Sequence, residues 1–405
     1  IASLRDQGAS LAITCDCGIS DLGEAEKAAA LGVDLIVTDH HVPLATLPRA
    51  LAVVNAKRRD SKYGFTGFAG VGIAFKLLQA LHQGWNTSTW LEGLLELVAL
   101  GTVADMVALV GENRHFVRKG LEVLNRTTRP GLQALIALSG LTPGSITSGD
   151  ISWALGPRIN SAGRMDNASV SLRLLMTDSA SEAAELAANL DSTNADRQRI
   201  TSEVYEMARA QLDAQPPSAL LMATGDAYPE GVIGLVAGRL SKEYYRPAVV
   251  VSAGETLCRG SSRSIPEFDL AWALEQCKDL LNGFGGHPLA AGFSVTKDRL
   301  PQLEQRLKAL AEERLAGVEP GARIDIDAEV SLKSLSGDTF RLTRTLEPFG
   351  QQNPDPCFLT RGVEVLECRS FRNHEKWTSL KLRQASALLD GVDFRTLRGP
   401  DDVPK

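Results

Sequence analysis

Three adjacent residues, Asp39-His40-His41, close the apolar run Leu35-Ile36-Val37-Thr38. Two imidazoles and a carboxylate in succession are costly to hide from water, and together they form a mixed nitrogen and oxygen donor set suited to a metal. A polar loop after a strand would have the same composition, so the surroundings must decide between the two readings. Asp16 ends a second short apolar run, Leu11-Ala12-Ile13-Thr14-Cys15, and Asp105 follows Leu97 to Ala104. As an isolated acid, Asp105 also fits a helix cap or a turn.

The local patterns say how these groups could meet. Between the two runs, Ser20 or Asp21 offers an N-cap, Glu24 stands in the first turn, Ala25 to Leu31 favours helix and Gly32 stops it. The right-handed crossover of such a strand-helix-strand unit brings both strand ends to one sheet edge, where α/β proteins bind ligands. Asp16 and His40 are therefore expected on neighbouring strands, close enough to share an ion. The glycines within Thr66 to Phe75 do not meet the dinucleotide-binding spacing, and no phosphate-binding loop motif is present. They are read as close packing at a helix start, and no nucleotide cofactor is expected.

Residues 1–150 alternate strand and helix patterns and predict an α/β domain on a mostly parallel sheet. Residues 151–215 form a linker ending in one long helical pattern, Ser179 to Ala214, which Pro216-Pro217 terminates. Residues 216–320 predict a second α/β domain with strands at Ala219–Ala223 and Ala248–Val251. Residues 321–405 turn β-like at Ile324–Val330, Cys357–Cys368 and Trp377–Arg383, which suits an OB-type barrel. The chain stops soon after, in the polar stretch Arg398 to Asp402, so the barrel is expected to be incomplete.

At 405 residues, 44% hydrophobic and 23% charged, the composition is that of a globular protein with room for several cores. A net charge of −6 gives no broadly basic surface, although a nucleic-acid groove needs only local charge. No apolar run approaches a membrane span, and the start at Ile1 does not read as a signal peptide. The six cysteines show no framework spacing, and Cys15-x-Cys17 has no second pair to complete a zinc site. The pair is read as small strand-end filler, and a reducing cytoplasm is the expected location. Lys57-Arg58-Arg59 reads as a solvated loop. Trp153, Tyr228, Phe284 and Trp377 could stack on bases, with buried packing as the competing role.

Taken together, Cys15-Asp16-Cys17-Gly18-Ile19, Thr38-Asp39-His40-His41 and Gly101-Thr102-Val103-Ala104-Asp105 resemble the DHH phosphoesterase superfamily. Further motifs run from Gly156 to Met165, Gly231 to Ala237, Gly260 to Ser264 and Gly285 to Gly292. They narrow the resemblance to RecJ-type exonucleases, which digest single-stranded DNA from its 5′ end. The ordered set covers nearly the whole chain.

The resemblance implies a parallel-sheet DHH domain, a long helical connector, a second α/β DHH-associated domain and a C-terminal OB-like β domain. It implies Mn²⁺ or Mg²⁺, with two ions in the full-length protein. Asp16 would bridge them, with His40 and Asp105 on one of them. Asp39 would orient its neighbours, His41 would face the scissile phosphate, and 5′ mononucleotides would be released. Gly285, Gly286 and His287 would hold phosphate oxygens. Arg158, Asn160, Arg164, Ser261, Ser262 and Arg263 would read the 5′ end, since guanidinium groups pair well with phosphate. Each arginine taken alone would read as a surface ion pair.

Single-stranded DNA with a 5′ end, a single-stranded-DNA-binding protein and a helicase are the implied partners, with no membrane contact and a monomeric state. The family's additional Asp-x-Asp motif, on a strand before Asp16, has no counterpart between Ile1 and Cys15, where Asp6 reads as a helix end. The chain is therefore expected to lack that strand, leaving its metal site incomplete. Two other readings stay open. One is a DHH hydrolase of short oligonucleotides or cyclic dinucleotides, against which the long connector and β-rich end speak. The other is a non-catalytic single-strand-binding scaffold. The absent acid pair favours it, and the retention of Asp16, His40, His41, Asp105 and His287 opposes it.

Overall fold

The computed structural model describes residues 1–393 apart from 84–87, 166, 319–320, 322, 336 and 372–373. The polar stretch Arg398 to Asp402 lies outside the described residues. Two compact units emerge. One comprises Ile1–Leu124, Thr147–Gly149 and the chain from Ile324 onward; the other comprises Asn125–Ile146 and Asp150–Arg323.

The first unit begins with a short helix, α1 (Ala2–Asp6), followed by β1 (Leu11–Cys15), α2 (Leu22–Ala30), β2 (Asp34–Thr38) and β3 (Ala52–Val54). The strands pair in parallel in the order β1-β2-β3, with Cys15 opposite Thr38 and Thr38 opposite Val54. Asp21 is the N-cap residue of α2, and Gly32, at φ +69, follows its end. Ala25 and Ala28 of α2 are buried against Leu35 and Val37 of β2. Their small side chains let the helix lie close to the strand. The expected alternation of strand and helix stops at Val54: the rest of this region is helical, in α3 (Gly70–Leu81), α4 (Ser88–Ala104) and α5 (Gly111–Leu124). The apolar runs here are longer than a strand needs and bury one stripe each, with Phe68, Ile73, Phe75, Val98 and Phe116 forming their shared core.

The β-rich end of this unit holds a short parallel pair, Ala328–Glu329 with Phe358–Leu359, and then three antiparallel strands, Glu364–Phe371, His374–Gln384 and Ala387–Asp393. These three form a meander and, among the described residues, no closed barrel.

In the second unit, α6 (Pro130–Leu138) is followed by a π-helical turn, Ile151–Leu155, that runs directly into α7 (Gly156–Met165). Next come α8 (Ser169–Met176) and α9 (Ala180–Asp213). The last is 34 residues long, a rod of about 50 Å. Its N-cap, Ser179, accepts a hydrogen bond from the Glu182 N–H. Helices α6, α7 and α8 all pack on it. The α/β part follows as β4 (Leu221–Gly225), α10 (Glu230–Tyr244), β5 (Ala248–Ser252), β6 (Leu257–Arg263), α11 (Leu270–Glu275), β7 (Leu281–His287), β8 (Ala290–Thr296) and α12 (Leu300–Leu315). Its sheet has the order β4-β5-β6-β8-β7, parallel between β4 and β5 and antiparallel elsewhere. Alternate residues of β4 and β5 enter different cores: Met222, Val249 and Val251 one, Leu221, Ala223 and Val250 the other. Both faces are thus buried, which explains why these strands are continuously apolar.

Candidate metal centre and phosphate-binding residues

The Asp39-His40-His41 turn is built from the inside out. The Asp39 side chain is 1% exposed, and its backbone N–H donates to the Val54 carbonyl, tying the turn to β3. Its carboxylate accepts hydrogen bonds from the Ile19, His40 and His41 N–H groups at 3.0, 2.7 and 3.2 Å, and lies 2.8 Å from His41 Nδ1. Burial alone would push this carboxyl up; the N–H groups of Ile19 and His41, the His41 ring and the His40 N–H outweigh it and hold the pKa below the ordinary value. Buried Asn55 adds a further tie, donating from its side chain to the His41 carbonyl.

His40 points the other way. Its Nδ1 lies 2.9 Å from the Phe68 carbonyl, which can only accept, so Nδ1 carries the proton. Phe68 is itself fixed, with its ring 1% exposed and edge-on to Phe65. Nε2 then faces Asp16 Oδ1 at 3.1 Å and Asp105 Oδ2 at 3.6 Å. Donor atoms of Asp16, His40 and His41 all lie within 4.8 Å of one another. Lone pairs converging on one point repel unless a proton or a cation lies among them. This donor set of carboxylates and imidazoles fits a divalent ion such as Mn²⁺ or Mg²⁺. Without one, the Asp16 carboxylate raises the His40 pKa against the effect of burial, with Asp105 assisting. Burial likewise pushes Asp105 up, His40 pulls it down, and Asp16 adds to the rise.

Asp16 reaches this point because the chain leaves β1 in the left-handed region, at φ 68, a conformation that aspartate tolerates better than most residues. Its side chain packs against the first residue of α3, Gly70, with no room for a β-carbon between them. Asp105 directly follows the last residue of α4, so this ligand comes from a helix end. Cys15 and Cys17, read as small strand-end filler, are both exposed, because the strand end they flank opens to solvent.

In the second unit the expected phosphate ligands separate into two groups. Ser261 and Arg263 lie on one face of β6 and Arg164 near the end of α7, where its Nη1 is 3.5 Å from the Gly231 carbonyl. Ser262 points the opposite way: it is fully buried and donates to the Ala291 carbonyl, because alternation along β6 turns it to the interior. It is no surface donor. Arg158 is held by Asp191 at 2.8 Å and by the Ala154 carbonyl at 3.0 Å, so its charge is already paired. Asn160 is exposed on α7.

Gly285-Gly286-His287 forms the end of β7, an edge strand, with all three residues exposed. Gly286 adopts φ +143, and a β-carbon there would meet the Ala290 carbonyl at 2.5 Å, so the motif brings bare backbone to the surface. Of the possible stacking aromatics, Tyr228 is buried, Phe284 is 39% exposed and Trp153, on the π-helical turn, is 86% exposed. The Trp377 side chain lies outside the described residues. The Phe68 carbonyl and Gly70 escape sequence reasoning: one acts through its backbone, the other through an atom it lacks.

Three family models match the chain: the N-terminal domain of the DHH family over residues 3–102, the DHHA1 domain over 218–313 and the RecJ OB domain over 326–403. The single-stranded-DNA-specific exonuclease RecJ of Escherichia coli (strain K12) is 35% identical over 98% of this chain and 72% of its own length. The chain belongs to the RecJ family. RecJ of Bacillus subtilis (strain 168) is 37% identical over 97% of this chain, which spans 50% of that relative. The crystal structure of RecJ in complex with Mn²⁺ from Thermus thermophilus matches with a TM-score of 0.83 at 31% identity, covering 96% of this chain and 57% of that one. The RecJ fold thus places the DHH domain and the OB-like strands in the first unit and the DHHA1 domain in the second. Among the described residues no helix is long and apolar enough to cross a membrane.

Proposed function

We propose that this chain hydrolyses phosphodiester bonds of single-stranded DNA from the 5′ end, using Mn²⁺ or Mg²⁺ and releasing 5′ mononucleotides. The observation that carries the reading is the His40 ring, locked through Nδ1 to the Phe68 carbonyl with Nε2 turned toward two carboxylates. Asp16, His40 and Asp105 would hold the ion. What a divalent ion supplies at such a site is a lowered pKa for water and neutralisation of charge developing on phosphate oxygens. Asp39 fixes the His41 ring through Nδ1, leaving Nε2 free to meet a phosphate oxygen. Arg164, Arg263 and Ser261 would take the 5′-terminal phosphate, with Gly285, Gly286 and His287 contacting the backbone. A single-stranded-DNA-binding protein and a helicase would present the strand in repair and recombination. The chain would work as a monomer in the cytoplasm.

The test supplies long 5′-phosphorylated single strands, duplexes and dinucleotides with Mn²⁺ to this chain and to a version extended at its amino end. Mononucleotides should accumulate from the long single strands, and Asp16→Ala or His40→Ala should abolish their release. Hydrolysis of dinucleotides alone would replace this reading with a small-substrate hydrolase. Binding of the strand by both versions with no release would leave a scaffold.

A further inference from the structure

Three consecutive side chains at the start of α5 each reach a different stretch of the first unit. Glu112 accepts from the Tyr63 hydroxyl at 2.7 Å and from Lys76 at 2.9 Å. Asn113 donates from one amide nitrogen to the Gly67 carbonyl at 2.6 Å and to the Ala108 carbonyl at 3.0 Å. Arg114 donates to the carbonyls of Leu346 and Glu347, at 2.6 and 3.1 Å, far along the chain.

The two carbonyls held by Asn113 belong to the stretches that set the metal ligands. Gly67 precedes Phe68, whose carbonyl fixes His40. Ala108 lies in the turn between α4 and α5, three residues after Asp105. One amide thus ties the support of one ligand to the turn that carries the other. Asn113 is fully buried, and among the described residues its own side-chain oxygen has no hydrogen-bond partner. An orphan acceptor in that place is destabilising. The amide cannot turn round to relieve it, because its oxygen would then face two carbonyl oxygens. The side chain is committed to its two donors.

The same turn is held from outside. The Leu109 N–H donates to the Gln351 carbonyl at 2.8 Å, and a β-carbon on Gly350 would stand 2.7 Å from Leu109 Cδ1. Buried Ser148 donates to the Phe349 carbonyl at 2.6 Å. The carbonyls of Leu346, Glu347, Phe349 and Gln351 are therefore all engaged by the rest of the unit. The Asn353 amide closes the stretch on itself through the Leu346 and Pro348 carbonyls. A mere connection to the β-rich end would leave such groups to water.

We propose that Asn113 is a positioning residue of the metal centre, holding the supports of His40 and Asp105 in register, and that the stretch 346–351 clamps the Asp105 turn against it. The inference rests on the reading of Asp16, His40 and Asp105 as ligands of the ion. Such a set binds well only when its members are held to within about 0.5 Å. The clamp makes the chain beyond Ile324 part of that support.

The experiment titrates Mn²⁺ into the whole chain by calorimetry without DNA, with thermal melting in EDTA beside each variant. His40→Ala should abolish binding, which locates the ion. Asn113→Ala should lower the affinity about 10- to 100-fold while the chain stays folded at the titration temperature. Phe116→Ala, a buried change on the same helix, should melt at least as early without that loss of affinity. Gly350→Ala, at an exposed position, presses on Leu109 and should lower the affinity by a smaller factor. Wild-type affinity in a folded Asn113→Ala overturns the proposal, since Asn113 would then serve the fold alone. So does an equal loss in Phe116→Ala, which would make the effect one of general stability. Should Asn113→Ala unfold, Gly350→Ala decides alone, an unchanged affinity counting against the proposal. If Asn113→Ala weakens binding and Gly350→Ala does not, only the clamp fails. A wild-type chain that binds no Mn²⁺, or binding that survives His40→Ala, overturns the metal reading and the inference with it. Every other failure leaves the metal reading standing.

Discussion

The carboxylate of Asp16 fills the space that a β-carbon on Gly70 would need. A helix residue and a strand-end acid are thereby fitted to each other by the lack of one carbon atom. Gly70→Ala should favour α3 by about 0.5–1 kcal/mol on helix propensity while forcing Asp16 aside. The expected result is a thermal midpoint close to wild type with Mn²⁺ affinity, by calorimetric titration, lowered about 10- to 100-fold. Unchanged metal affinity would show that Asp16 moves freely and that the close fit is incidental.

Asp39 anchors the histidine turn as an acceptor, and its pKa lies below the ordinary carboxylate value. Such a group stabilises the fold fully above its unfolded pKa of about 4, and that contribution disappears as pH falls through the lower folded value. Asp39→Asn places an amide NH₂ among N–H donors and should cost about 1–3 kcal/mol. Urea unfolding should show that difference in full at pH 7 and a narrowing gap below pH of about 4. A gap independent of pH would mean the loss is one of packing, not of charge.

Phe68 couples the aromatic core to the metal centre, since its ring packs by Phe65 and Phe116 and its carbonyl holds His40. Phe68→Ala should destabilise the first unit by about 3–5 kcal/mol and also weaken Mn²⁺ binding. Phe116→Ala, whose backbone does not touch His40, serves as the control. It should lose comparable stability with the metal affinity preserved while the protein remains folded.

Thiol labelling offers a check that needs no substrate. Cys258 and Cys277 are fully buried, and burial pushes the Cys277 thiol up to about 11, so hardly any thiolate exists at pH 8. Mass spectrometry after brief alkylation of the native chain should find Cys15 and Cys17 modified and Cys258 and Cys277 intact. Rapid modification of Cys277 without denaturant would contradict the placement of α11 and α12 over the sheet.

Much of the centre was legible because its ligands sit where short apolar runs end, and periodicity locates those ends. The 34-residue α9 was equally readable, being framed by a serine cap and a proline pair. What stayed hidden depends on backbone atoms and on orientation. The helical character of Leu97 to Ala104 was ambiguous, because an apolar stretch buried within a bundle lacks clear periodicity. Gly285-Gly286-His287 was read for its phosphate contacts, but that its glycines let an edge strand bare its backbone needed the sheet order. Motif position placed Ser261, Ser262 and Arg263 together, but strand alternation splits them, and no spacing rule indicated that Asp191 would take up Arg158.

The long helix α9 carries its buried residues in two stretches, Ala183 to Asn194 and Val204 to Leu212, with none between. In mechanical terms it is a beam clamped at both ends and held at mid-span only by partly buried contacts such as that of Ile200. Bending should concentrate at residues 195–203, and amide exchange should be fastest there within the helix.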